Sequence, residues 1–148
     1  MTLPSGRLRQ LLLPMAASTS RSAAARELAH HLGASSVEIY VKDPALDVML
    51  PAPGMPKTVP GGPKWREFLR RCMKESRPAG EVDRPPPALL HAQGIARQGA
   101  ALIVLGAPLA SDTVDELEIE FPLLAALLHA EQALQVERAA KPLSLELS

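Results

Sequence analysis

The chain has 148 residues, enough for one domain with its own core and too few for two comfortable ones. Sixteen basic residues balance sixteen acidic ones, which argues against nucleic acid or an anionic membrane as the main partner. A single cysteine, Cys72, excludes an internal disulfide and any CxxC redox or zinc motif, and no stretch approaches the ~20 apolar residues of a membrane span. A cytoplasmic domain is the expectation.

Taken in order, Leu8–Leu32 reads as helix in two pieces hinged near Pro14–Ser20. Leu8, Leu11, Leu12 and Met15 share one face, and Ala24, Leu28, Ala29 and Leu32 continue it. Its opening, RLRQLLLPMAAS, has the basic, apolar and small residues of a signal peptide. The apolar run is short and broken by proline, so it is read as the start of the domain. Ser18, Thr19 or Ser20 is expected to cap the second piece and Gly33 to stop it.

Ser36–Lys42 alternates Val37, Ile39 and Val41 with Glu38, Tyr40 and Lys42, the pattern of a half-buried strand. Asp43–Ala45 is a turn and Asp47–Leu50 the returning strand of a hairpin. Pro51–Pro63 carries five prolines and three glycines and is expected to be an ordered surface loop. Lys64–Lys74 predicts a short amphipathic helix with Trp65, Phe68, Leu69 and Cys72 on one face and Arg66, Arg70, Arg71 and Lys74 on the others.

Ala79–Pro87 gives a brief extended piece and a proline break. Leu89–Gln98 is ambiguous between helix and an edge strand near Gly94–Ala96. Ala100–Gly106 is continuously apolar and predicts a central strand buried on both faces. A long helix follows over Thr113–Lys141, with a capping box at Thr113 and Glu116. Pro122 is expected to divide or kink it and Pro142 to end it. Leu123, Leu127, Ala130 and Leu134 form a stripe on this helix that Leu124 and Leu128 widen. Helix or dimer packing is therefore assigned to Leu124, Leu127, Leu128 and Leu134. Charge is segregated: eight bases against four acids between Lys57 and Arg84, and five acids with no base over Asp112–Glu120.

Catalytic chemistry finds little footing. His30 and His31 diverge on a helix and His91 and His129 lack ligand spacing, so no metal site is assigned. Cys72 shares the apolar face of Trp65 and Phe68 and is read as a buried thiol. Gly61–Gly62 sits among prolines, outside any phosphate-loop context. No catalytic residue and no cofactor is assigned.

The order helix, glycine stop, hairpin, proline-rich middle with a short helix, buried strand and long terminal helix resembles a GAF domain. It is carried by AARELAHHLGASSVEIYVKDP, MLPAPGMPKTVPGGPKWREFLRRC and AALIVLGAPLASDTVDELEIEFPLLAALLHAEQAL. These stretches resemble the GAF-like domains at the N-termini of some bacterial sensor histidine kinases. The resemblance implies an α+β fold over residues 1–148, with a core at about 8–140 and a tail over 141–148. It implies a central antiparallel sheet of five or six strands, with the first and last helices packed together on one face. By position it implies a ligand pocket at Trp65, Phe68, Leu69 and Cys72, and a non-enzymatic sensory homodimer feeding a kinase output module in the same protein. The signature of cyclic-nucleotide-binding members is missing, so the ligand is left open. A second resemblance, of LRQLLLPMAAS and ALIVLGA to universal stress proteins, implies instead a parallel-sheet nucleotide binder with Gln10–Ala16 as a strand.

Overall fold

A computed structural model describes residues 6–57 and 60–147, the stretch 140–147 by its backbone only. Helices α1 (Arg7–Leu12) and α2 (Ser18–Leu32) lead into a hairpin of β1 (Ser36–Asp43) and β2 (Val48–Pro51). Helix α3 (Pro63–Arg71) follows, then β3 (Ala79–Asp83), β4 (Leu89–Arg97) and β5 (Ala100–Leu105), and finally α4 (Ser111–Leu147). The strands form one sheet in the order β2-β1-β5-β4-β3, with every pairing antiparallel. The fold is α+β.

Strand periodicity of two divides the core into two layers. Val37, Ile39 and Val41 of β1 and Ala100, Leu102 and Val104 of β5 face α1, α2 and α4. Tyr40, Ala101, Ile103 and Leu105 face α3. The expected central strand is the middle strand of five, buried along its whole length.

The N-terminal hinge is a 3-10 turn over Leu13–Ala16, as Pro14 cannot donate to a helical ladder. The second piece is capped differently from expectation. Ala17 stands at the N-cap without a side-chain cap, while the Ser20 hydroxyl donates back to the Pro14 carbonyl at 2.6 Å. Gly33 ends α2 at φ 67°, the left-handed stop its position required.

Three expectations fail for identifiable reasons. Residues 89–97 form a full strand paired on both sides, by β5 and β3, and not a helix or a sheet edge. The β4 face toward α3 carries Ala92, Gly94 and Ala96, and a Cβ on Gly94 would come within 2.8 Å of Pro78 Cγ. Small residues chosen for close approach hide the alternation that marks a strand. Pro122 does not divide α4, because Phe121, Leu124 and Ala125 are buried around it and hold the helix continuous across the lost hydrogen bond. The helix also starts earlier, at Ser111, and its backbone continues through Pro142 to Leu147, so most of the expected tail is helical. Ser148 lies outside the described residues.

The helical face is tied together by Arg21, which is fully buried on α2. Its Nε donates to the Met15 carbonyl (2.7 Å), Nη1 to Pro53 (2.6 Å) and Nη2 to Ala16 (3.0 Å). Nη1 and Nη2 also grip the Glu131 carboxylate of α4 at 3.0 and 3.2 Å. All five N–H groups of the guanidinium thereby find acceptors. The loop reaches this point because Gly54, at φ 88°, lies so close to α2 that a Cβ would meet the Ser18 carbonyl oxygen at 2.2 Å. Replacing Arg21 by alanine leaves three carbonyls and a carboxylate without their donor. We expect a loss of about 3 kcal/mol of stability in urea unfolding. Glu131→Gln, which keeps an acceptor at a partly exposed position, should lose about 1 kcal/mol or less.

Candidate functional site

The α3 layer was the expected location of a pocket. Helix α3 starts at Pro63, whose missing N–H costs nothing at that position. No side chain of the N-cap residue Gly62 caps it. Instead the Asp83 carboxylate, arriving from β3, accepts the Trp65 N–H at 2.8 Å. Burial pushes the Asp83 carboxyl up, but the N–H groups of Trp65, Asp83, Lys64 and Gly62 outweigh it and hold the group below the usual carboxylate range. The two glycines of the proline-rich loop make room for this arrangement. A Cβ on Gly62 would sit 2.1 Å from Asp83 Oδ2, and one on Gly61 would sit 2.2 Å from Trp65 Cδ1. The end of the helix that attracts anions already holds one.

Trp65, Phe68 and Cys72 are 3, 1 and 3 % exposed and pack with Tyr40, Met49, Val82 and Ile103. Trp65 stacks on Phe68 with ring centroids 6.0 Å apart and meets Tyr40 edge-on at 5.7 Å. Three of the four residues assigned to a pocket thus sit together inside the core, and Leu69 lies at its margin. Burial pushes the Cys72 thiol up to about 12, so it carries no appreciable thiolate at neutral pH.

Beside this cluster stands an ion pair that pattern reading did not find. The Arg84 guanidinium lies 4.5 Å over the Trp65 ring and donates through Nη1 and Nη2 to the two oxygens of Glu38. Tyr40 donates its hydroxyl to Glu38 Oε1 at 2.7 Å. Burial, and then the negative charge of Glu38, push the Tyr40 phenol upward, so it stays protonated. Glu38 stood on the polar side of an alternating strand, and its spacing gave no sign that a cation 46 residues later would cover it. The Glu38 carboxylate is thus held by both Arg84 and Tyr40. Among the described residues no three His, Cys, Asp or Glu side chains come together as a metal site.

An open feature lies at the margin of the same layer. Between β2 and α3 runs a groove of about 510 Å³, lined by Val48, Leu50, Leu69 and Met73 with Arg66, Arg70 and Lys74 beside them. Of the residues assigned to a pocket, it takes in Leu69.

The residues assigned to helix packing divide between two surfaces of α4. Leu124 and Leu128 are 2 and 1 % exposed and belong to the chain's own core with Leu117 and Phe121. Leu127 and Leu134 are 37 and 50 % exposed and point away from it. The segregated charges meet at one place, where Arg77 pairs with Asp115 (2.7 Å) and Glu118 (2.5 Å) at the start of α4. Compared with family models, with curated proteins and with solved structures, the chain finds no match.

Two measurements test this description. Cys72 should react with a thiol-specific disulfide reagent at pH 8 only as fast as the protein unfolds, and promptly in denaturant. Because the Asp83 pKa is depressed in the fold, its stabilisation is complete above the unfolded value and fades as pH falls below about 3.8. The melting-temperature difference between wild type and Asp83→Ala should therefore be full at pH 6 and shrink toward pH 3.

Proposed function

We propose that this chain is a GAF-like sensory and dimerisation domain, the non-catalytic input module of a bacterial sensor histidine kinase acting in the cytoplasm. The observation that carries the reading is the two-sided α4. Its inner face, Val114, Leu117, Phe121, Leu124 and Leu128, is spent on the chain's own core. Its outer face leaves Ile119, Leu123, Leu127 and Leu134 exposed by 72, 51, 37 and 50 %. Ile119, Leu123, Ala126, Ala130 and Ala133 recur at spacings of four and three, the rhythm of a helix that packs on another helix. An apolar stripe of this length in water favours a second copy of itself.

The arrangement of layers is in keeping with the resemblance. A five-stranded antiparallel sheet carries α1, α2 and α4 on one face and α3 on the other, and Arg9 of α1 pairs with Glu120 of α4 at 2.8 Å. The parallel-sheet alternative does not match this fold. Its first strand would be Gln10–Ala16, which is helical, and the sheet is antiparallel throughout.

In this reading the dimer seam moves from Leu124 and Leu128 to the outer residues of α4. A change of state would act by biasing one of two packings of paired α4 helices, the second of which passes to an output module. Sedimentation equilibrium should give a dimer for the wild type and a monomer for Leu123→Glu/Leu127→Glu, with unchanged far-ultraviolet circular dichroism. Leu128→Ala should instead cost about 2–4 kcal/mol of unfolding free energy with the dimer contact intact. A strictly monomeric wild type at high concentration would overturn the dimer reading.

A further inference from the structure

We infer that the groove between β2 and α3 binds an aliphatic carboxylate, an anionic amphiphile of the fatty-acid type. The inference names a ligand class for the sensory reading above and rests on that reading only for its consequence.

The walls are apolar and open. Val48 and Leu50 on β2 are 42 and 40 % exposed although both are large hydrophobic residues on a strand. Leu69 and Met73 line its α3 side, Val48 and Leu50 belong to the sheet edge that borders it, and Met49 between them packs into the α3 core. At about 510 Å³ the space falls within the range of small-molecule sites.

The rim carries the opposite message. Arg66 and Arg70 stand one helical turn apart on α3, about 6 Å along its axis, and Lys74 continues the line in the turn beyond. Two carboxylates lie close, and both are engaged. Glu67 holds Arg70 at 2.7 Å, and Asp47 holds Lys42 at 2.8 Å. Among the described residues no carboxylate pairs with Arg66 or Lys74 within 4.0 Å. An apolar trough flanked by unmatched cations is complementary to a molecule with a hydrocarbon tail and an anionic head.

Other occupants fit less well. An added peptide strand needs a run of free backbone donors, and β2 is four residues long and ends at Pro51, which has none. A nucleotide base needs an exposed aromatic face, and Trp65 and Phe68 are stacked on each other in the core. A small hydrophilic anion would leave the apolar walls in water.

The test is calorimetric titration of the full chain with dodecanoate below its micellar concentration. We expect saturable binding of one molecule per chain. Affinity should fall about tenfold or more for Arg66→Ala/Lys74→Ala, with circular dichroism unchanged, and by a similar factor when 1-dodecanol or acetate replaces dodecanoate. Met73→Asp, at a partly exposed wall position, should weaken binding comparably. Absence of saturable binding up to millimolar ligand, or equal affinity of wild type and the double variant, would overturn the assignment. So would co-flotation with phosphatidylglycerol vesicles without binding of monomeric dodecanoate, which would assign the cations to a lipid surface. The α4 seam lies on the opposite side of the sheet, so a dimer that ignores dodecanoate overturns the ligand class alone. A monomer that binds it overturns the dimer alone.

Discussion

The constraint on which the helical face depends is the buried guanidinium of Arg21. It is the point where the 3-10 turn after α1, the loop after β2 and the helix α4 are joined, through Met15, Ala16, Pro53 and Glu131. A charge removed from water is stabilising only if its neighbours replace the lost hydration, and here every N–H has a fixed acceptor. Its value to the fold is therefore geometric. An apolar residue of similar volume could fill the space, but would not tell the loop where to sit against α2 or α4 which turn to present. The close approach of Gly54 to Ser18 follows from the same demand, since the loop must pass within reach of Nη1.

The opposite face repeats the device on a smaller scale. Glu38, Arg84, Tyr40 and Trp65 join β1 and the segment after β3 to α3, and Asp83 next to Arg84 fixes where α3 begins. One short stretch, Asp83–Arg84, thus places both the start of α3 and the ring of its first aromatic. That explains why a helix of nine residues, too short to persist alone, holds a defined position above the sheet.

These joints mark the boundary of what could be read from the residues. The strands β1 and β5, the hinge at Pro14 and the stop at Gly33 follow from alternation, a continuous apolar run and the backbone demands of proline and glycine, all local signals. The joints are pairings between residues 46 and 110 positions apart, and a single chain holds no trace of them until it folds. The strand β4 was obscured by small residues chosen for close packing. On α4, periodicity identified an apolar helix. The wheel is apolar around so much of its circumference that it did not show which part the sheet would claim, so the buried Leu124 and Leu128 were grouped with the exposed Leu127 and Leu134. The expected pocket met the same limit: a face bearing Trp65, Phe68 and Cys72 is equally a lining or a plug, and packing against Tyr40 and Met49 makes it a plug.

The two buried pairs also bear on how a groove on one side of the sheet and a helix on the other can affect each other. Strand β2 forms one wall of the groove, and the chain leaves it directly into Ala52 and Pro53. Ala52 donates to the Ile39 carbonyl at 2.9 Å, keeping this exit in line with the sheet. The Pro53 carbonyl is then held by the same guanidinium nitrogen that holds Glu131 of α4. Contiguity of this kind does not by itself transmit anything. What gives it physical content is the sharpness of a hydrogen bond, which weakens steeply when its geometry is spoiled. A shift of β2 of the order of an ångström would take Pro53 away from Nη1. Five donors that now have five acceptors would have to be redistributed, and Glu131, 21 % exposed, is the acceptor with room to move. The outer stripe of α4 lies on that same helix, so the residue best placed to report on β2 belongs to the helix that carries the proposed seam.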